Sequence, residues 1–252
     1  MEEPSQVQLE LNELDWWSRW ANVQLYGADS YLMHSTSFPE FFFNRAVLMG
    51  CDVELSTIDQ IEKGFSGFAL EPFFLVPESC AVLVGDLNSR GYLVLDRMSV
   101  LVLGSPNVLT EQKAVITWVE PGGEEGWARV YSQSFYGDDS QIRGVTNVVK
   151  SAVGSHESSF LEATVDGRLA GALALHRTKN VLGVYCVGTL PEFRGRGVAG
   201  TLLGQAARTG AAEGRSVVLQ TFLSDGVEGF YLARGYARRY IKAVFGKRNR
   251  PG

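Results

Sequence analysis

Residues 181–222, "VLGVYCVGTLPEFRGRGVAGTLLGQAARTGAAEGRSVVLQTF", constrain the fold more than any other stretch of the chain. An apolar β-rich run leads into a glycine- and arginine-rich turn. A helix from 197 closes on Gly214, and "SVVLQTF" (216–222) follows as a near-continuous apolar strand. A strand–helix–strand unit of this length brings its second strand back parallel to the first by a right-handed crossover. Ahead of it, "SFLEATVDGRLAGALALHR" (159–177) is two β runs joined at Asp166-Gly167, a strong hairpin signal. Two segments of helical spacing come first, "EEGWARVYSQSFYG" (124–137), through Trp127, Val130, Tyr131 and Phe135, and "SQIRGVTNVVKSAVG" (140–154). A helix to Arg234 and a last strand complete the order α-α-β-β-β-α-β-α-β. That order is an α+β fold, a mixed and mostly antiparallel sheet flanked by helices, with one parallel pair and no doubly wound sheet.

A chain of 252 residues has room for one or two domains. Gly104, Pro106 and Asn107, inside "LVLGSPNVLTEQKA", mark a boundary near residue 110. The division expected is 1–110 and 113–252. Each half closes on the same phrase, Arg90-Gly91-Tyr92 and Arg234-Gly235-Tyr236, after a helix and before a strand. Glycine suits the left-handed residue just past a helix, with an aromatic packing back on the last turn. The echo points to a tandem repeat of one fold. The halves differ in charge: residues 1–110 hold 15 acids and 5 bases, residues 111–252 hold 13 acids and 18 bases. The bases are scattered between apolar runs, apart from the tail "KRNRPG", so nucleic-acid binding is not expected. No run reaches the roughly 18 apolar residues of a membrane helix, and "MEEPSQVQLE" is not a signal peptide. Cys51, Cys80 and Cys186 are odd in number and form no CxxC, so they read as reduced thiols of a cytoplasmic protein. His34, His156 and His176 lack ligand spacing, and no metal is expected.

The turn "PEFRGRGVAGTLL" holds two patterns. Gly195, Gly197 and Gly200 spell G-x-G-x-x-G, whereas Arg194, Gly197 and Ala199 spell R-x-x-G-x-A. A dinucleotide turn needs its first glycine hard against the strand and an acid at the end of the next strand. Here "PEFR" intervenes, and the next strand ends in Gln220, Thr221 and Phe222. The second pattern leaves backbone N–H groups at a helix N-terminus unobstructed, an anion site suited to a diphosphate. Arg194 and Arg196 would add charge to it.

From about residue 113 to 246 the chain resembles the GNAT superfamily of N-acetyltransferases. "VGTLPEFRGRGVAGTLL" is similar to their acyl-CoA motif, and "DGVEGFYLARGY" (225–236) to the motif that follows it. The resemblance implies acetyl-CoA as cosubstrate, its diphosphate on the amides of Arg194, Gly195, Arg196, Gly197, Val198 and Ala199. It implies a pantetheine arm paired to Val187, Gly188 and Thr189, on a strand with a bulge that Gly188 would permit. It implies Tyr231 as general acid to the leaving thiolate. Asp225 stands where many relatives place an asparagine on the carrier's arm, a departure that would disfavour phosphate and could cap the helix. Glu162, or Tyr185 through water, are the candidate bases. The first half has no R-x-x-G-x-G around "FFFNRAVLMGCDVE" and resembles a degenerate GNAT-like domain.

His176 reads as a surface histidine and Cys186 as a small apolar residue. Trp16, Trp17 and Trp20 read as core, with an acceptor-pocket lining as the minor alternative. The acidic half would suit a cationic acceptor. The expected activity is direct attack of a primary amine, a small molecule or a peptide, on acetyl-CoA in a ternary complex. The alternative is a CoA-binding regulatory module without turnover. No nucleic acid or membrane is expected as partner, and a homodimer stays open.

Overall fold

Ser5 opens the first helix, α1 (Gln6–Trp17), with a capping box. Its hydroxyl accepts the Gln8 N–H, and the Gln8 side-chain oxygen accepts the Ser5 N–H. In the computed structural model, which describes residues 3–104 and 113–247, β1 (Asn22–Leu25), β2 (Ser30–His34) and β3 (Ala46–Leu48) follow. Then come α2 (Leu55–Gly67), β4 (Phe73–Pro77), α3 (Ala81–Ser89) and β5 (Leu93–Leu103). The second half runs β6 (Val115–Trp118), α4 (Glu124–Phe135), α5 (Ile142–Ala152), β7 (Ser158–Val165), β8 (Arg168–Arg177), β9 (Val181–Thr189), α6 (Val198–Glu213), β10 (Ser216–Phe222), α7 (Glu228–Leu232) and β11 (Tyr236–Gly246). The boundary expected near residue 110 and the tail beyond Lys247 lie outside the described residues.

The chain folds as two units that interleave in sequence. The N-terminal unit takes Ser5–Leu101, Gln220–Gly229 and, among the described residues, 238–247. The C-terminal unit is built on Val102–Leu219 and Phe230–Ala237. In the N-terminal unit the strands lie in the order β1-β2-β3-β4-β11-β5. β1, β2 and β3 pair antiparallel in turn; β3 and β4 pair parallel around the crossover helix α2; and β11 pairs antiparallel with β4. Ile58, Ile61 and Phe65, at helical spacing on α2, pack with Phe74, Tyr92 and Phe245 in the core of this unit.

Trp16, Trp17 and Trp20 are buried, as their spacing predicts, in an aromatic cluster with Phe38, Phe42 and Phe43. Beside them, Glu10, Glu13, Arg45 and Lys242 are all buried. Lys242 bridges Glu10, at 3.1 Å, and Glu13, and Arg45 pairs with Glu13 at 2.8 Å. Burial pushes the Glu13 carboxyl up, but Lys242 and Arg45 outweigh it and leave it below the ordinary range. Burial leaves Glu10 above that range.

Cys51 and Cys80 are not reduced thiols: they form a disulfide that ties the chain after β3 to the start of α3, with Cα atoms 4.8 Å apart. Odd number and wide spacing concealed it because the partners meet only once β3 and β4 lie side by side. His176 is not at the surface either. It is fully buried, and its Nδ1 lies 3.0 Å from the Ser158 hydroxyl across the β7–β8 ladder.

In the C-terminal unit the order is β10-β9-β8-β7-β6. Asp166 and Gly167 both take positive φ, 52° and 72°, the geometry of a type I′ turn, and join β7 to β8 as expected. The short edge strand β6, not anticipated from the sequence, pairs antiparallel with β7. One row of residues runs across three strands: Glu162 opposite Ala172, and Ala172 opposite Gly188. This row faces α4, whereas Gly171, one residue away, faces Val198 and Leu202 of α6. The two helices therefore cover opposite faces, as the alternation of a strand requires.

The two Arg-Gly-Tyr phrases share one geometry. Gly91 and Gly235 have φ of 82° and 85°, their N–H groups donate to the carbonyls of Asn88 and Leu232, and Tyr92 and Tyr236 are both buried. The described residues thus form the expected α+β architecture, each unit with mixed and mostly antiparallel strand pairing flanked by helices.

Candidate active site

Strand β9 parts from its neighbours where the resemblance places the carrier's arm. Its parallel register with β10 runs from Val181/Ser216 to Gly183/Val218 and stops there, although β9 continues to Thr189. On its other side the β8 register slips between Ala172 and Ala174, which face Gly188 and Tyr185, so Cys186 and Val187 together oppose Leu173. This is a β-bulge, and Cys186 within it takes a left-handed φ of 56°. The bulge sits two residues before Gly188, the position expected to permit it. The glycine serves a different need: a Cβ there would stand 2.9 Å from the Ser134 Oγ and 3.1 Å from the Ser134 Cβ on α4.

Beyond the bulge, the Leu190 N–H donates to the Ala170 carbonyl on β8 at 2.9 Å. By the alternation of an antiparallel ladder, the peptide group of Thr189 then points away from β8, toward the side where β10 has departed. On that side β9 has no register with β10 beyond Gly183.

After a 3-10 turn over Pro191–Phe193, Gly195 and Gly197 adopt φ of 76° and 83°, and Gly197 is the N-cap of α6. A side chain is disfavoured at both positions by backbone conformation alone. Around Gly195 no atom lies within 4 Å of a would-be Cβ, so that face of the turn is open. The first N–H groups of α6, those of Val198 and Ala199 among them, have no carbonyl within the helix to donate to. This donor set fits a diphosphate.

The arginines are placed differently from expectation. Arg194 donates to the Thr189 and Ser134 carbonyls, both at 3.3 Å, and so braces the end of β9 against the end of α4. Arg196 pairs with Asp166 at 2.9 Å, an exposed pair of the kind worth about 0–1 kcal/mol, which a phosphate could outcompete. Lys113 was not singled out in the sequence. Its N–H donates to the Thr201 Oγ1, and its methylenes lie 3.2 Å from where a Gly197 Cβ would stand. No local pattern reveals it, because it lies far from the turn in sequence.

Tyr231 is half-buried on α7, its ring 5.4 Å from Phe230 and 6.1 Å from Tyr236. Glu162 lies on the α4 face, two strands from Gly188, a separation of about 10 Å. Its carboxylate presses on α4 at Gly126, its Oε1 is buried without a hydrogen-bond partner, and burial raises its pKa. Burial likewise pushes the Cys186 thiol well up, which suits an inert side chain. Asp225 belongs by its packing to the N-terminal unit, where burial and the nearby Asp96 hold its carboxyl above the ordinary range. It precedes Gly226 in a short 3-10 turn, and α7 begins only at Glu228. Among the described residues no group of His, Cys, Asp and Glu side chains could hold a metal ion, and no helix is long and apolar enough to cross a membrane.

Residues 116–236 match the family described as "Acetyltransferase (GNAT) family". Among solved structures, a GCN5-related N-acetyltransferase from Kribbella flavida superposes with a TM-score of 0.74 at 16% identity, covering 99% of this chain and 98% of the other. A GCN5-related N-acetyltransferase from Sphaerobacter thermophilus gives 0.70 at 16% identity, covering 96% and 86%. An acetyltransferase from the GNAT family of Colwellia psychrerythraea gives 0.60 at 9% identity, covering 98% of each chain. At these identities the likeness concerns fold, and it extends over both halves. No curated protein matches the sequence.

Proposed function

We propose, from the premise that residues 116–236 make this chain a GNAT acetyltransferase, that it moves an acetyl group from acetyl-CoA to a primary amine. The observation that carries the reading is the coincidence of two features at one end of β9. A strand edge freed by the end of the β10 pairing leads directly into a two-glycine turn at the N-terminus of α6. The free edge suits an amide-bearing arm, and the turn suits a diphosphate.

Within that reading, the amides from Arg194 to Ala199 hold the diphosphate, and the peptide groups of Val187 and Thr189 pair with the arm. Gly188 keeps the strand close to α4. The amine nitrogen attacks the thioester carbonyl directly; the C–N bond forms and the C–S bond breaks. A backbone N–H at the β9 edge steadies the oxygen as charge develops on it. Tyr231 gives its proton to the departing thiolate. The proton lost by the ammonium leaves through water toward Glu162, whose raised pKa matches an acceptor working nearer neutrality. The separation of Glu162 from Gly188 makes it a remote base, so water carries that step. Work on acetyl-CoA suits the cytoplasm, where the Cys51–Cys80 bond would face a reducing milieu, with Cys80 buried and Cys51 exposed.

The test is acetyl-CoA-dependent thiol release from the full chain across a library of small amines and peptide N-termini. At least one acceptor should give amine-dependent release, and Tyr231→Phe should lower its kcat about 10- to 100-fold while leaving carrier affinity within a factor of two. Carrier binding by calorimetry with no release for any amine would overturn catalysis and leave a carrier-binding module. Absence of carrier binding would overturn the whole reading.

A further inference from the structure

The two Arg-Gly-Tyr turns share their backbone but differ in where their polar side chains go. In the N-terminal unit, Arg90 pairs with Asp86 at 2.5 Å, with Glu62 at 3.1 Å and with Asp59. The Tyr92 hydroxyl donates to Glu62 at 2.6 Å, and Lys247 approaches the same carboxylate at 3.7 Å. Asp59 and Glu62 both stand on α2, the crossover helix between the parallel strands β3 and β4. The turn therefore reaches back to that helix and is neutralised there.

In the C-terminal unit, the crossover helix between parallel strands is α6. Its buried positions 203, 206 and 210 repeat the spacing of Ile58, Ile61 and Phe65 on α2. On that register Asp59 corresponds to Gly204 and Glu62 to Ala207, two positions with no side chain able to accept a hydrogen bond. Arg234 accordingly meets no carboxylate among the described residues. One Nη donates to the Phe230 carbonyl at 2.8 Å, the guanidinium lies 3.5 Å over the Phe230 ring, and Nε is buried without a partner. The Tyr236 hydroxyl, on a side chain only 4% exposed, is likewise buried without a partner. Burial lowers the Arg234 pKa with no carboxylate to oppose it. An unmade buried donor costs about 1–3 kcal/mol, and a partly desolvated cation lacking a counter-charge adds to that. The same two donors are satisfied by acids in one unit and left waiting in the other.

We infer that a phosphate of the acyl carrier takes, in the C-terminal unit, the place that the Asp59 and Glu62 carboxylates hold in the N-terminal unit, bound by Arg234 and the Tyr236 hydroxyl across the bare Gly204–Ala207 side of α6. This rests on the acetyl-CoA reading and deepens it. Gly204 lies about two helical turns, roughly 10 Å, beyond the Gly197 cap, so a carrier seated on the turn has a second phosphate to offer along the same helix. By the same comparison, the N-terminal unit fills its own anion position with acids and takes up no carrier, so the full chain binds one carrier.

Calorimetry on the full chain with acetyl-CoA and with its 3′-dephospho analogue tests this. Wild type should bind acetyl-CoA at one per chain. Arg234→Gln should weaken it about 10-fold or more and Tyr236→Phe about 3-fold, with folding checked by thermal melting. If Arg234→Gln removes the advantage of acetyl-CoA over the 3′-dephospho analogue, the 3′-phosphate is the ligand group; an equal loss with both ligands would overturn the inference. Arg90→Gln should lower the melting temperature and leave carrier affinity unchanged. Folded Arg234→Gln and Tyr236→Phe proteins that bind acetyl-CoA like wild type would overturn the inference alone. So would Arg90→Gln weakening the carrier as much as Arg234→Gln does. Failure of wild type to bind acetyl-CoA would remove the functional reading and the inference with it.

Discussion

Gly188 and Glu162 end the same row of the sheet, and each answers to α4 in a way that mutation can expose. At Gly188 the missing Cβ lets Ser134 approach to 3.1 Å from where that carbon would stand. Gly188→Ala should therefore cost about 1–3 kcal/mol by overpacking. Combining it with Ser134→Gly should recover more than the single costs predict, a coupling that a double-mutant cycle in urea would measure. At Glu162 the carboxyl is half-buried, its Oε1 has no partner, and burial raises its pKa above the ordinary 4.5. Because the folded-state value is the higher one, the protonated carboxyl is tolerated below the unfolded pKa, and stability is lost as pH rises through the folded value. Glu162→Gln should thus melt higher than wild type at pH 7 and converge with it below about pH 4. Melting curves that run parallel at all pH values would refute this. The residue reading of the sequence found Gly188 but assigned it to the bulge, which falls at Cys186. A bulge is a register relation between two strands, and the identity of one residue does not disclose it.

Elements whose signals are local were legible. The Asp166-Gly167 hairpin, α6 with its glycine boundaries and both Arg-Gly-Tyr turns depend on neighbours within a few positions, and the chain adopts them as read. The four-residue edge strand β6 carries too little pattern to be seen, since Val115, Thr117 and Trp118 are exposed and only its pairing with β7 makes it a strand. The glycines of the α6 turn allow a graded test of the element that carries the proposed function. Gly195→Ala meets nothing within 4 Å and bears only the left-handed backbone cost, about 1–2 kcal/mol. Gly197→Val bears that cost and also meets the Lys113 side chain at 3.2 Å, at the N-cap itself. Gly197→Val should therefore abolish measurable acetyl-CoA uptake, whereas Gly195→Ala should retain it within about 10-fold. Equal uptake by both variants would detach the turn from the carrier.

At the scale of the molecule, the N-terminal unit recruits its chain from three separate stretches and holds them by contacts that no local window contains. Lys242, on β11, is buried against Glu10 and Glu13 of α1, more than two hundred residues earlier. Lys242→Met would leave two buried carboxylates with one cation, Arg45, between them, and should cost about 3–5 kcal/mol. The Cys51–Cys80 bond is the covalent counterpart, closing a segment of 29 residues that contains α2 and its packed face. Loop-closure entropy for that length gives about 3–4 kcal/mol, felt through the unfolded state. Thiol counting resolves the three cysteines. Cys186 is half-buried and its thiol pKa is pushed well up by desolvation, so native protein should react slowly with a thiol reagent. Unfolded, unreduced protein should show one thiol, and unfolded, reduced protein three. Reduction of the folded chain should lower the midpoint of the transition that reports on the N-terminal unit while leaving acetyl-CoA affinity intact, because the turn, the β9 edge and Arg234 all belong to the other unit. Three thiols before reduction would return the cysteines to their sequence reading. A loss of carrier affinity on reduction would mean that the N-terminal unit supports the site directly.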